Sequence, residues 1–167
     1  ISGAAYSQFG WYYVNPKPQN NALYDVYMLN SSTIASVGDY GMIINSTTSG
    51  SNWQIQSNAV ILSILTKVAF ANPSTGYLTG FFGTLAKTTN GGINWNALPI
   101  PTSGILHGIA IIDASNVYLA SSGGQVWKTT NGGANWDSLY VGLTVNLRGI
   151  IFFNASTGVV SGTTGKV

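Results

Sequence analysis

The sequence predicts an all-β fold built from four copies of one four-stranded antiparallel unit, and three observations support this prediction. Tryptophans at positions 11, 53, 95 and 136 are separated by 42, 42 and 41 residues. A nonamer ends at two of them, as K-T-T-N-G-G-I-N-W at 87–95 and K-T-T-N-G-G-A-N-W at 128–136, and a looser copy, S-T-T-S-G-S-N-W, occupies 46–53. Each period also holds short apolar runs separated by turn signals. A fixed period of about 20 to 50 residues is typical of repeat architectures.

The first strand of every unit begins with leucine, in apolar runs at 23–29, 65–71, 106–112 and 147–153. Continuous apolar runs are typical of strands that are buried on both faces. A turn with an Asx residue follows each run, at Asn30, Asn72, Asp113 and Asn154. Asx side chains stabilise such turns by hydrogen-bonding to the nearby backbone.

The second strand of each unit ends in a tight turn closed by Gly41, Gly83, Gly124 or Gly165. Glycine is favoured there because it adopts a positive φ at little cost. The third strand leads into the nonamer, and we expect the fourth to begin at its tryptophan.

Four-stranded antiparallel units of this length are typical of β-propeller blades. An open β-solenoid is the alternative, which we disfavour because solenoid coils are usually shorter. The predicted units, of about 42 residues, are 12–53, 54–95, 96–136, and 137–167 together with 1–11. They form either a closed four-blade ring, with 1–11 completing the last blade, or part of a larger ring of roughly six to eight blades.

The composition excludes several classes of function. Only 6% of the residues are charged and the net charge is +2, so no basic stripe is available for nucleic acid. The chain has no cysteine, which excludes disulfides and thiolate metal sites. No apolar run approaches the roughly 18 residues of a membrane span, so we predict no membrane insertion. The chain begins at Ile1, and we interpret it as a processed product or a part of something longer.

The nonamers resemble the Asp-box, or bacterial neuraminidase repeat, whose pattern is Ser/Thr-x-Asp-x-Gly-x-Thr-Trp. The matching residues are Thr88, Asn90, Gly92 and Trp95; Thr129, Asn131, Gly133 and Trp136; and, with Thr in the Asp place, Ser46, Thr48, Gly50 and Trp53. The whole unit looks most like the photosystem II assembly factor type of propeller repeat, which is also common in long secreted bacterial proteins. The resemblance covers the full chain and implies a β-propeller.

We predict a structural role for the box residues. The Asx side chain ties the turn, the glycine permits it and the tryptophan packs into the blade. In the families that carry the box, it lies away from the active site. A calcium loop needs several carboxylates and these boxes contain none, so we predict no metal and no cofactor.

A sialidase resembles this propeller, but its chemistry needs three arginines and a Tyr paired with Glu, and this chain has one Arg and no Glu. A glycosidase needs two carboxylates, and Asp25 and Asp39 are the only acidic pair without an obvious structural role. His107 and Arg148 lack a placed Ser and acid for a nucleophilic triad, and we expect each to be a solvated residue at a strand start. We predict that the chain is not an enzyme.

Positions that differ among the copies are not needed to build the blade, so they are the candidates for a binding face. They comprise the start of the first strand, with Tyr24, Asp25, Thr66, Lys67, His107 and Arg148, and the turn before the third strand, with Asp39, Tyr40, Phe81 and Phe82. Both sets fall on one side of the disc, opposite the boxes, if the first strand is innermost. Random drift of surface turns is the alternative, and the adjacent phenylalanines fit it least.

Covalent modification is a further expectation. Asp137-Ser138-Leu139 resembles the O-glycosylation site of bacteria that secrete by the type IX system, which makes Ser138 a candidate. Sequons for N-glycosylation occur at Asn30, Asn45 and Asn154, and two of these are the Asx turns of the repeat, so they carry little weight.

The sequence therefore predicts a non-enzymatic extracellular or cell-surface module with a binding or structural role, as part of a secreted surface or filament protein. The expected partner is a protein, by self-association or binding to other surface proteins, or a glycan. A lectin propeller and an assembly-factor-like, protein-binding propeller are the alternatives. The second is weakened because the arginine patch of that family is missing.

Overall fold

The computed structural model describes residues 20–56, 61–165 and 167, and within them fourteen strands form four antiparallel sheets. The first sheet contains β1 (Leu23–Met28), β2 (Ile34–Gly38), β3 (Ile43–Ser46) and β4 (Gln54–Gln56). The second contains β5 (Leu65–Phe70), β6 (Gly76–Gly80), β7 (Leu85–Thr88) and β8 (Asn96–Ala97). The third contains β9 (Leu106–Ile111), β10 (Val117–Ser121), β11 (Gln125–Thr129) and β12 (Asp137–Tyr140), and the fourth contains β13 (Leu147–Asn154) and β14 (Thr157–Gly162).

Consecutive strands pair within every sheet, as expected for a blade, and the predicted all-β fold is confirmed. The fourth strands start one residue after Trp53, Trp95 and Trp136 and pair with the third strand of the same sheet. Each sheet therefore extends past the tryptophan at which the predicted unit ends. The blade expected to be shared with residues 1–11 depends on a segment outside the described residues.

The first strands are the neighbours between sheets: β1 lies beside β5, β5 beside β9, and β9 beside β13. Three hydrophobic clusters fill the spaces between consecutive sheets. Their largest fully buried members include Ile43, Leu65, Leu78, Leu106, Leu119 and Leu147. The opening leucines at 65, 106 and 147 are completely buried because each starts a strand that packs against the preceding sheet.

The two outer first strands differ from the two inner ones. Residues of β5 and β9 are buried or half-buried, whereas Val26 and Met28 of β1 are each 64% exposed, and Ile151 and Phe153 of β13 are 63% and 71% exposed. The expectation of burial on both faces therefore holds only for the middle sheets. The reason is that β1 and β13 have a neighbouring sheet on one side only within the described residues.

The segments 46–53, 88–95 and 129–136, here called the tryptophan turns, connect the third and fourth strands. In the second sheet, the Thr88 hydroxyl accepts hydrogen bonds from the backbone N–H of Asn90 (3.3 Å) and Gly92 (2.9 Å) and donates to Asn90 Oδ1 (2.9 Å). Asn90 Oδ1 also accepts from the backbone N–H of Asn94 at 2.9 Å. Two side chains thus hold the whole turn.

The other two tryptophan turns repeat this arrangement. In the third sheet, the Thr129 hydroxyl accepts from the N–H of Asn131 (3.3 Å) and of Gly133 (3.0 Å). In the first sheet, Ser46 Oγ and Thr48 Oγ1 occupy the places of the Thr hydroxyl and the Asn oxygen. A hydroxyl at position 48 therefore supplies the acceptor that an amide supplies elsewhere.

The Asx turns after the first strands are also alike. Asn72 Oδ1 accepts from the N–H of Ser74 (2.9 Å) and Thr75 (2.8 Å), and Asn30, Asp113 and Asn154 form the same pair of bonds. At the third copy, hydrogen bonds from the Asn116 side chain and from two backbone N–H groups lower the pKa of Asp113. The single carboxylate among these turns is thereby held in its charged form.

Candidate functional site

A short 3₁₀ turn follows the second strand of each sheet, and in the first three sheets it joins the second strand to the third. These four segments are here called the front turns: 39–41, 81–83, 122–124 and 163–165. The first residue of each donates its backbone N–H to a carbonyl just before the first strand, as in Asp39 to Ala22 (2.9 Å) and Phe81 to Ile64 (2.9 Å). Ser122 and Thr163 do the same. The front turns and the starts of the first strands therefore share one side of each sheet, here called the front face.

The middle residue of every front turn has a left-handed backbone. Tyr40 and Phe82 have φ of 55°, Thr164 has φ of 63°, and Gly123 takes this place in the third copy. A left-handed conformation costs a residue with a side chain on the order of 1 kcal/mol. Tyr40 and Phe82 are nevertheless present, with 76% and 78% of their surfaces exposed. Sequence reasoning missed this strain, although the glycine in the third copy was a signal for it.

Other candidates surround these two aromatic side chains. The half-buried Phe81 ring lies edge-on to Phe82, with the centroids 6.2 Å apart. On the first sheet, the Tyr24 hydroxyl donates to the Asp39 carboxylate, and this hydrogen bond raises the pKa of Tyr24. Phe82 thus has a second aromatic candidate against its ring, whereas Tyr24 interacts with Asp39, the residue before Tyr40.

Three of the candidates are used in contacts between sheets. Lys67 forms an ion pair with Asp25 at 3.1 Å across β1 and β5, and the other oxygen of that carboxylate accepts from the Val68 N–H at 2.9 Å. The Thr66 hydroxyl donates to carbonyls of Thr79 and Leu106, which lie on its own and the next sheet. These positions differ among the copies because different side-chain contacts connect each pair of neighbouring sheets.

His107 corrects an expectation from the sequence. It is 8% exposed and not solvated, because it belongs to β9 and its side chain packs beside Ser122 and Arg148 of β13. Its Nε2 is 3.4 Å from Ser122 Oγ, and its Nδ1 is 3.4 Å from Nη1 of the exposed Arg148. Burial, and then the nearby arginine charge, lower the pKa of His107. Ser122 is the partner that sequence reasoning did not identify.

The two candidate carboxylates of the front face both interact with neighbouring residues. The Asp25 carboxylate is committed to Lys67 and Val68, and Asp39 accepts the Tyr24 hydroxyl. Across residues 20–56, 61–165 and 167, no group of three or more His, Asp or Glu side chains could hold a metal ion. Nor does a helix of the described part have the length and apolarity needed to cross a membrane.

The two larger depressions of the described part lie away from the front turns. One of 790 Å³ adjoins the third tryptophan turn and is lined by residues that include Ile100, Pro101 and Trp136. Another, of 370 Å³, lies between β9 and β13 near Ile111 and Phe152. Neither is lined by a candidate of the front face.

The possible modification sites are also accessible to different degrees. Ser138 is exposed in β12, as are Asn30 and Asn154 in their turns, whereas Asn45 is half-buried in β3. Modification at each of them stays a prediction.

No protein-family model matches the chain, and no curated protein matches it. Solved structures do. The chain is 18% identical to YCF48 bound to a D1 peptide, with a TM-score of 0.72 over 87% of this chain and 48% of that one. The fold is that of a β-propeller.

Two further propeller structures give the same result. An ancestral GH74 enzyme is 21% identical, with a TM-score of 0.73 over 89% of this chain and 22% of that one. YCF48 from Cyanidioschyzon merolae is 22% identical, with a TM-score of 0.65 over 78% of this chain and 40% of that one. The chain thus spans about half or less of the structures it matches. YCF48 is a photosystem II assembly factor, and the likeness to it supports the predicted β-propeller fold.

Proposed function

We propose that this chain is a non-enzymatic, protein-binding module of an extracellular or cell-surface protein, and that the front face is its binding surface. The observation that carries the proposal is the pair Tyr40 and Phe82. Both rings are exposed on left-handed turn residues, where glycine is the residue that the backbone favours. The third copy makes the same turn with Gly123. The turn geometry therefore gives no reason for the aromatic side chains, and a binding role does.

The partner that we propose is a protein segment with apolar side chains. Exposed aromatic side chains are frequent hot spots of protein interfaces, because they bury a large area with few rotatable bonds. The similarity to YCF48 bound to a D1 peptide supports a protein partner for a propeller of this kind. The extracellular location is supported by the low charge, 6% of residues, and by the repeat type that the sequence resembles.

A lectin is the second candidate, and one observation favours it. The Tyr40 ring adjoins Asp39, whose carboxylate accepts from the Tyr24 hydroxyl, so an exposed ring lies next to polar groups. Small-molecule sites commonly combine an apolar surface with a few such polar groups. A sugar could stack on the ring and hydrogen-bond beside it.

The test uses Tyr40→Gly and Phe82→Gly, because both variants relieve a left-handed side chain and copy the natural turn at Gly123. Peptides selected on the unaltered chain from a displayed library should bind at least about tenfold more weakly to each variant. Ile93→Ala is the matched control, since Ile93 is 66% exposed in a tryptophan turn. It should bind the same peptides unchanged.

A glycan array with the same three variants separates the alternatives. Glycan binding that is lost in Tyr40→Gly, together with no selectable peptide, favours the lectin. Peptide binding that survives in both glycine variants contradicts the assignment of the front face.

A further inference from the structure

The depression of 790 Å³ beside the third tryptophan turn has two walls. One wall is the segment 99–101, which follows β8 of the second sheet, and the other is formed by residues of the turn in the third sheet. Both sheets have all four strands and a neighbouring sheet on each side. Small-molecule sites in proteins typically measure about 300 to 1,000 Å³, so the depression has the size of such a site.

Both walls are held in place by contacts that do not depend on a ligand. Ile100 packs against the hydrophobic cluster between the second and third sheets, and Pro99 and Pro101 on either side of it have a fixed φ. On the opposite wall, the backbone N–H of Asn135 donates to Asn131 Oδ1 at 3.0 Å. A ligand therefore binds here without first ordering the protein, which lowers the cost of binding.

The walls also depart from the repeat. Ala134 stands where the second tryptophan turn has the larger Ile93, which leaves room beside the turn. Asp137 stands where the other copies have Gln54 and Asn96. The two prolines that follow β8 have no counterpart after the first or the third tryptophan turn. None of these residues is needed to build a blade, since the other copies form one without them.

The turn side of the depression carries polar groups that the fold does not use. The Asn135 amide, the Asp137 carboxylate and the Thr130 hydroxyl are exposed, and none of them bonds to another side chain or backbone group of the described residues. Together they supply both donors and acceptors of hydrogen bonds. Ile100 and the prolines on the other wall supply an apolar surface.

The charge of the depression restricts the ligand further. Asp137 is the single charged side chain among the described residues that line it, and no lysine or arginine is among them. A nucleotide, a phosphopeptide or an acidic sugar would bring a negative charge close to this carboxylate, which is unfavourable. The lining therefore favours a neutral ligand rich in hydroxyl groups.

We propose that this depression is a binding site for a neutral saccharide of about two sugar rings. A sugar ring has hydroxyls at its rim, which suit the amide, carboxylate and hydroxyl of the turn side. Its C–H groups form an apolar face, which suits Ile100 and the prolines. The site is separate from the front face and does not rest on the protein-binding role proposed for Tyr40 and Phe82.

Isothermal titration calorimetry with cellobiose, lactose, maltose and diacetylchitobiose tests the proposal. At least one of these neutral disaccharides should bind with a dissociation constant of about 1 mM or lower. Ala134→Trp fills the depression and should abolish this binding. The matched control is Ile93→Trp, at the same place in the second tryptophan turn, which should leave it unchanged.

A second variant removes one polar group and keeps the turn. Asn135→Ala should raise the dissociation constant about three- to tenfold, because a hydrogen bond to the sugar is lost while the backbone bond to Asn131 remains. Asn94→Ala, at the same place in the second tryptophan turn, is its control. Equal binding by the unaltered chain and by Asn135→Ala would remove the amide from the site and contradict the proposal.

The charge argument has its own measurement. The unaltered chain should bind the neutral disaccharide at least about tenfold more tightly than a counterpart in which one CH₂OH group is a carboxylate. Asp137→Asn should reduce this ratio, because it removes the negative charge from the wall. A ratio that does not change in Asp137→Asn contradicts the assignment.

Three other outcomes overturn the proposal. No binding of any of the four disaccharides up to about 10 mM means that the depression is not a saccharide site. Binding that survives in Ala134→Trp and is lost in Tyr40→Gly places the sugar on the front face instead. Peptides that bind the unaltered chain and are lost in Ala134→Trp, with no sugar bound, mean that a protein segment occupies the depression.

Discussion

The tryptophan turns and the front turns lie at opposite ends of each third strand. Side chains hold the conformation of the first kind of turn, and backbone hydrogen bonds hold that of the second. In a tryptophan turn, side chains such as Thr88 and Asn90 bind the backbone, so the sequence is almost fixed by the geometry. In a front turn, the backbone bonds go to main-chain carbonyls, as from Asp39 to Ala22 (2.9 Å) and Gly41 to Ser63 (2.7 Å). The middle side chain of a front turn is therefore free to vary without changing the blade.

The largest effect should come from the tryptophan turns. Trp136 is 8% exposed and belongs to the cluster between the second and third sheets. Trp136→Ala should lower the free energy of unfolding by about 3 to 5 kcal/mol, because the packed blade cannot collapse onto the cavity. Chemical denaturation measures this loss, and the half-buried Trp53 is the control, since Trp53→Ala should cost less. Equal losses in the two variants would show that burial is not the cause.

The next prediction compares two neighbouring glycines of one front turn. Gly123 and Gly124 both have positive φ, 77° and 75°. A Cβ on Gly123 meets nothing within 4 Å, whereas a Cβ on Gly124 would lie 1.4 Å from the Leu143 carbonyl oxygen. Gly123→Ala should cost about 1 to 2 kcal/mol from backbone strain alone, and Gly124→Ala more than about 3 kcal/mol, because overpacking adds to strain. Similar unfolding free energies for the two variants would refute this account of which position varies.

The sequence was informative where a structure is local and repeated. The tryptophan turn, the Asx turn and the glycine at the end of each front turn form within a few residues, so the repeat revealed them and, with them, the blade. Contacts between neighbouring blades are not local in the sequence. The Asp25–Lys67 ion pair and the burial of His107 depend on residues about one period apart, and these differ from joint to joint.

The candidate face shows the same division. Its position could be predicted, because it follows from which ends of the strands carry the variable columns. The side chains exposed on it could not be predicted, because a position that varies among the copies does not reveal whether its residue points to solvent. Tyr40 and Phe82 do so, whereas Asp25 and Thr66 are drawn into joints.

A smaller effect is expected from the hydroxyl that organises the third tryptophan turn. Thr129 is 1% exposed, and its Oγ1 accepts from the N–H groups of Asn131 and Gly133. Thr129→Val keeps the shape but leaves the buried N–H of Gly133 and the part-buried N–H of Asn131 without this acceptor, which should cost about 1 to 3 kcal/mol. The exposed Thr130 beside it is the control, and Thr130→Val should change the unfolding free energy by less than about 0.5 kcal/mol. A neutral Thr129→Val variant would mean that the turn is held by its glycines alone.

The smallest effect concerns the joint behind the front face and depends on pH. His107 is the only histidine, and burial and the charge of Arg148 lower its pKa from the usual 6.5. The unfolded chain therefore takes up a proton near pH 6.5, while the folded chain keeps the imidazole neutral to a lower pH. The stability from this group is fully present above pH 6.5 and is lost as the pH falls below it, down to the folded pKa.

Denaturation at about pH 7.5 and about pH 5.5 should accordingly show lower stability at the lower pH. Asp113 does not confound the comparison, because its pKa is lowered from 3.8 and so lies below this range. His107→Gln should abolish the difference between the two pH values, and Arg148→Gln should reduce it, since the arginine is the second cause of the shift. If the unaltered chain is equally stable at both, His107 has no perturbed titration and is more hydrated than its 8% exposure implies. If Arg148→Gln leaves the difference unchanged, burial alone accounts for the pKa of His107, and the 3.4 Å approach of Arg148 to its Nδ1 does not stabilise the neutral form.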